Sequence, residues 1–237
     1  MKTKLFGLLA GISIYALAIQ PAAAASITFS HSESGTDGPL SASASFGTNA
    51  GSVVITISNL LSSSEIVSVG QTVSDLSFTL SDAPGTLGFT LALAPQGFAT
   101  FSGSPTPTLA AGQPTRWLGA GGQGNFSIVG NTITLETIGG GQPSQLILPS
   151  ASTAYSNANS SITGGQFNPF VAGTAQFTLF LSGVDINTTI TEATFSFGTG
   201  HFITVPGPIV GAGLPGLIAA CGALLVLARR RRKLAVA

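Results

Sequence analysis

The sequence predicts an all-β protein: an antiparallel, jelly-roll-like β-sandwich between an N-terminal signal peptide and one C-terminal transmembrane helix. Three observations predict it. Only 7% of the 237 residues are charged, against about 25% in ordinary soluble domains, and the helix formers Glu, Lys, Arg and Met are scarce beside Gly, Ser, Thr and Ala. Apolar and polar residues alternate with period two through the middle of the chain. Near each terminus lies an apolar run free of charge.

The N-terminal element, residues 1–25, opens with Lys2 and Lys4, continues as an apolar run from Leu5 to Ile19, and ends in Gln20, Pro21 and four alanines. That is the three-part layout of a secretory signal peptide. Cleavage after Ala24 or Ala25 satisfies the small-residue rule. The run is short for a membrane span and the small residues follow at once, so removal by signal peptidase is expected rather than retention as an anchor. Export machinery and signal peptidase are the first partners implied.

Residues 26–204 form the exported domain. In GSVVITISNL, Val53, Ile55 and Ile57 share one face while Thr56 and Ser58 share the other. VSDLSFTLS puts Val73 with Asp75, Ser77 and Thr79 and sets Leu76, Phe78 and Leu80 opposite. AQFTLFLSGV aligns Phe177, Leu179 and Leu181, and TEATFSFGT sets Ala193, Phe195 and Phe197 against Glu192, Thr194 and Ser196. Each reads as a half-buried strand. Asp82-Ala83-Pro84-Gly85 marks a turn before a strand at Leu87 to Leu93, and Gly130-Asn131 is a two-residue hairpin signal. The pattern predicts about nine or ten strands and no soluble helix. Two segments, Ser104–Gly124 and Gly139–Pro169, read as long loops. A chain of this length buries enough surface to need no disulfide, and the lone cysteine, Cys221, falls in the C-terminal apolar run.

The C-terminal element, 205–237, reads VPGPIVGAGLPGLIAACGALLVLARRRRKLAVA. Pro206-Gly207-Pro208 is a stiff, extended breaker. Ile209 to Ala228 carries no charge, and at 1.5 Å per residue it matches a hydrocarbon core of about 30 Å. Arg229, Arg230, Arg231, Arg232 and Lys233 then stop transfer and hold residues 229–237 in the cytoplasm. The topology is type I.

Val205, Pro206, Gly207 and Pro208, the Gly-rich span and the terminal Arg cluster together resemble the PEP-CTERM sorting signal of Gram-negative bacteria. Gly207 stands where that family usually carries glutamate, which makes this a variant motif. The resemblance implies recognition of the Pro-x-Pro motif by a membrane processing enzyme, an exosortase. It implies passage through the inner membrane by the single span to the cell surface or extracellular matrix, and association with exopolysaccharide or biofilm. A sortase signal lacks its threonine here, and a GPI signal has no basic stop.

Charge and side-chain chemistry narrow the function further. Between the termini Arg116 faces eight carboxylates, a formal charge of −7, which excludes a nucleic-acid footprint. His31 and His201 stand at opposite ends of the domain and there is no nucleophile elbow. The carboxylates sit at turn or polar-face positions, where solvated surface acids are expected. A non-enzymatic protein without cofactor or metal is therefore expected. The alternatives are a carbohydrate-active hydrolase, which needs two converging acids, and an unprocessed type I surface domain. Asp185 and Asn187, two apart in a turn, with Asp82 at another turn, offer a weak calcium pattern. Arg116 and Trp117 are weak candidates for contact with polysaccharide, Trp117 by stacking on a sugar and Arg116 by holding an acidic group.

Overall fold

The computed structural model describes residues 26–111, 115, 117, 125–137, 143–150 and 154–206. Outside it lie the expected signal peptide with Ala24 and Ala25, Arg116, Gly207 and Pro208, the expected span 209–228 with Cys221, and Arg229 to Lys233. Among the described residues no helix is long and apolar enough to cross a membrane.

Fourteen strands follow one another among the described residues: β1 (Ser26–Gly35), β2 (Gly38–Asn49), β3 (Ser52–Asn59), β4 (Val73–Leu80), β5 (Leu87–Leu93), β6 (Phe98–Thr100), β7 (Thr108–Ala110), β8 (Asn125–Val129), β9 (Thr132–Glu136), β10 (Ile147–Leu148), β11 (Phe170–Ala172), β12 (Thr174–Leu181), β13 (Ile190–Phe197) and β14 (His201–Pro206). A 3-10 turn at Val69–Gln71 and one helical turn, α1 (Ser160–Thr163), complete the described elements. The chain is all-β, as the alternation predicts. The excess over nine or ten strands comes from pieces of two or three residues, too short to show a period.

Two sheets form. One has the order β1-β2-β3-β12-β5. The other runs β14-β13-β4-β10-β11-β6-β7, with the β8–β9 hairpin also joined to β4 through β9. Every pairing is antiparallel except β10 with β11. Their apolar faces enclose a common core, an arrangement consistent with a sandwich. Phe46 of β2 packs edge-on against Phe29 of β1 at 5.6 Å and meets Phe78 of β4, in the other sheet, at 5.0 Å. Ring pairs of this geometry add about 0.5–1.5 kcal/mol beyond their area. Val53, Ile55 and Ile57, and likewise Phe177, Leu179 and Leu181, are buried as their alternation requires.

Gly130-Asn131 closes β8 onto β9, with Val129 opposite Thr132 and Gly130 at φ +61°. Positive φ at the first central position fits a type II′ turn, which glycine adopts without steric cost.

Three features differ from the sequence reading. The segments expected as long loops carry β7, β10 and α1, and they place Trp117, Leu146, Tyr155 and Ile162 in the interior. Strand β14 runs through Pro206, past the Thr204 bound read from the sequence, because it keeps pairing: Val205 lies opposite Ala193 and Pro206 opposite Glu192. Proline is tolerated at the end of an edge strand, where the missing donor costs no ladder bond. Finally, β4 is buried on both faces over Val73 to Leu76, so Asp75 is not a solvated surface acid.

Candidate functional site

Asp75 sits directly opposite Glu136 of β9 on one side and Ser196 of β13 on the other. Its carboxyl accepts from the Thr137 amide at 3.0 Å through Oδ1 and from Ser74 Oγ at 2.9 Å through Oδ2. Burial pushes its pKa up, and the neighbouring Glu136 carboxylate adds to that rise, while the Ser74, Thr137 and Ser196 hydrogen bonds pull the other way. Among the described residues this is the one place where two acids stand side by side across paired strands. Both Asp75 oxygens, however, hold the chain's own donors, so Asp75 fastens β4 to the end of β9. Sequence reasoning missed it. The available signal was that VSDLSFTL and TITLETI each carry an acid at a polar-face position.

Trp117 is fully buried; its Nε1 donates to the Gln145 carbonyl at 2.9 Å and its ring lies 5.4 Å from Phe177. A ring with no exposed face cannot stack on a sugar, which removes Trp117 from the candidate contacts. His31 is half-buried on β1, with Nε2 3.5 Å from Glu33 on the same face. His201 begins β14, so the two histidines stay on separate strands. The Asp185 carboxylate accepts from the Asn187 amide at 2.7 Å and the Thr188 amide at 3.0 Å, and these bonds hold its pKa below the usual range. Asp82 Oδ2 accepts from Ser81 Oγ at 2.8 Å. The calcium pattern is thus a turn-forming carboxylate, and no cluster of three potential metal ligands occurs among the described residues.

Of the four residues expected to form a sorting motif, Val205 packs partly buried against the main core and Pro206 ends the edge strand β14. Gly207 and Pro208 lie outside the described residues.

The outer sheet faces carry rows of hydroxyls, with Val54, Leu91 and Phe180 exposed among them. Thr204, Thr194, Ser77, Thr134 and Ser127 stand in register across five strands. Thr194 bonds Thr204 at 3.0 Å and Ser77 bonds Thr134 at 3.2 Å. On the opposite sheet Thr28, Ser45, Thr56 and Gln176 form a similar row. All eight carboxylates fall within the described residues, and no Lys or Arg does. The surface is rich in neutral hydrogen-bonding groups and has no described cation.

Neither a protein-family model, nor a curated protein, nor a solved structure matches this chain.

Proposed function

We propose that this is an exported, non-enzymatic envelope or extracellular-matrix protein, routed by a PEP-CTERM-like C-terminal signal and associated with exopolysaccharide. The carrying observation is the order of elements in the tail: Val205-Pro206-Gly207-Pro208, a charge-free run at 209–228, and five cations from Arg229 to Lys233. An exosortase-like enzyme is the processing partner, the inner membrane is crossed in transit, and the cell surface or matrix is the destination. Hydroxyl-rich outer faces support the matrix role, because neutral glycans are bound through such groups. The long connections that make β3 a neighbour of β12, and β4 a neighbour of β13, support the jelly-roll-like description.

The test is the C-terminal mass of the mature protein from cells and from medium. Release of a product lacking everything beyond about Pro206 to Pro208, abolished by Pro206→Ala and Pro208→Ala, is the expected result. A chain ending at Ala237 and confined to membranes overturns processing and leaves a type I anchor. One observation favours a hydrolase reading, the adjacency of Asp75 and Glu136. It requires Asp75→Asn to abolish a glycan-hydrolysing activity of the wild type; retention of full activity in that variant sinks it.

A further inference from the structure

The described domain has a marked polarity from end to end. The chain enters at Ser26, opposite Gly47, and leaves at Pro206, opposite Glu192. At the other end β1 turns into β2 between Gly35 and Gly38, and β13 turns into β14 between Phe197 and His201. At about 3.3 Å per residue, β1 separates its two ends by about 30 Å. A cleft of about 280 Å³ lies at this far end, where the two turns meet the 3-10 turn. On the proposed topology, it faces away from the membrane.

The cleft is walled by Thr36, Asp37 and Thr199, with Gly35, Gly70 and Gly200 between them. Leu40 and Phe197 form its apolar base. Asp37 Oδ2 accepts from Ser68 Oγ at 2.5 Å, which fixes the carboxylate. Its Oδ1, and the hydroxyls of Thr36 and Thr199, have no hydrogen-bond partner among the described residues. The glycines maintain this shape. A Cβ on Gly70 would stand 2.8 Å from Asp37 Oδ2, and one on Gly198, at φ +56°, would stand 2.7 Å from the Gly70 Cα. Side chains there would displace the carboxylate or part the two turns.

The chemistry of that wall selects its ligand. An oriented carboxylate with a spare oxygen accepts hydroxyl donors in short, charge-assisted hydrogen bonds. Two threonines both donate and accept. With Asp37 in the wall and no cation beside it among the described residues, an anion is repelled. Ligand pockets for drug-sized molecules begin at about 300 Å³, so this one takes a single ring. We propose that the cleft at the termini-distal end binds one neutral pyranose ring, and so forms the contact with an uncharged polysaccharide. The inference rests on the polysaccharide part of the proposed function and not on the processing of the tail.

The test is an NMR titration of the full-length chain in detergent, labelled with ¹⁵N-glycine, using glucose, galactose and mannose as probes. Saturable shifts of the Gly35, Gly70 and Gly200 amides at millimolar sugar are expected with at least one of them. Asp37→Asn should weaken binding about tenfold, by loss of the charge-assisted bond. Gly200→Leu should abolish it by filling the cleft. A Cβ at Gly200 meets nothing within 4 Å, so this variant leaves the fold intact, which an otherwise unchanged spectrum verifies. The inference is overturned by absence of saturable shifts with all three sugars, by shifts that survive both variants, or by tighter binding of galacturonate than of galactose. Binding in a chain whose tail is never cut would separate the two readings: the cleft stands and the sorting function falls. A processed, exported chain with an inert cleft gives the reverse.

Discussion

Two hydrophobic clusters hold this domain together, and they are made by different means. The larger is strand-built. Phe29, Phe46, Ile55, Phe78, Phe177 and Phe195 occupy alternate positions on long strands of both sheets, and each stands in register with a residue of a neighbouring strand. The smaller is built mainly from short strands and turns. Leu61, Ile66, Phe101, Leu146, Tyr155, Ile162 and Phe170 come from segments with no sustained period, and Phe101 is their hub, 5.5 Å from Tyr155 and 5.7 Å from Phe170.

Irregular backbone loses its automatic hydrogen-bond partners, so buried side chains must supply them. Asn168 brackets Phe101, accepting from its amide at 3.1 Å and donating to its carbonyl at 2.6 Å. The Tyr155 hydroxyl donates to the Pro149 carbonyl at 2.7 Å, and that burial pushes its own pKa above the titration range of ordinary tyrosines. Asn59 donates to the carbonyls of Gln71 and Ile147 at 2.8 and 3.2 Å, stitching the 3-10 turn to β10. Gln71 in turn donates to the carbonyls of Pro39 and Glu65 and accepts from the amides of Val67 and Ser68. The comparison teaches that apolar period suffices where ladders exist. Elsewhere a few amide side chains carry specificity.

Three perturbations would break or sharpen this contrast. The largest effect is expected from Phe46→Ala, which opens a cavity between the two sheets. About 3–5 kcal/mol should be lost, read as a fall in the urea midpoint with all probes shifting together. Asn168→Ala should cost about 2 kcal/mol, the sum of two partly buried backbone bonds. Hydrogen exchange should show the loss confined to amides around Phe101 and Tyr155, with β2, β3 and β12 still protected. If those long strands lose protection equally, the two clusters are one cooperative unit.

The smallest effect is a pH slope. Burial raises the folded-state pKa of Asp75, so the folded protein holds this proton over a range where the unfolded chain has released it. Stability from this group is therefore present below the unfolded value, about 3.9, and is lost as pH rises through the raised folded value. Relative to Asp75→Asn, the wild type should gain stability as pH falls from neutral towards about 4. A difference between the two proteins that does not change with pH would show that Asp75 ionises normally. Glu65 and Asp185 work in the opposite sense: hydrogen bonds lower their pKa values, so their contribution fades at the acid end.

Legibility followed the same division. The strands at 53–58, 73–80, 177–181 and 193–197 and the Gly130-Asn131 hairpin were readable because alternation and turn chemistry are local. Trp117 was not, since a Pro- and Gly-rich neighbourhood looks like a surface loop until Phe177 and the Gln145 carbonyl are placed against it. The far-end cleft gave no local signal either. Asp37, Gly70 and Thr199 are distant in the chain, and no motif links them.

By itself the sequence determined that this chain is all-β, and which residues of each long strand face the core. Both follow from period and composition, which every short segment carries within itself. The expectations of export and sorting rest on equally local patterns at the two ends. Only the tertiary structure decided that Asp75 is buried beside Glu136, that Trp117 is core, that β14 extends through Pro206, and that a carboxylate and two free hydroxyls meet in one cleft. Those facts depend on register between strands remote in sequence, and register is settled by the packing of whole sheets.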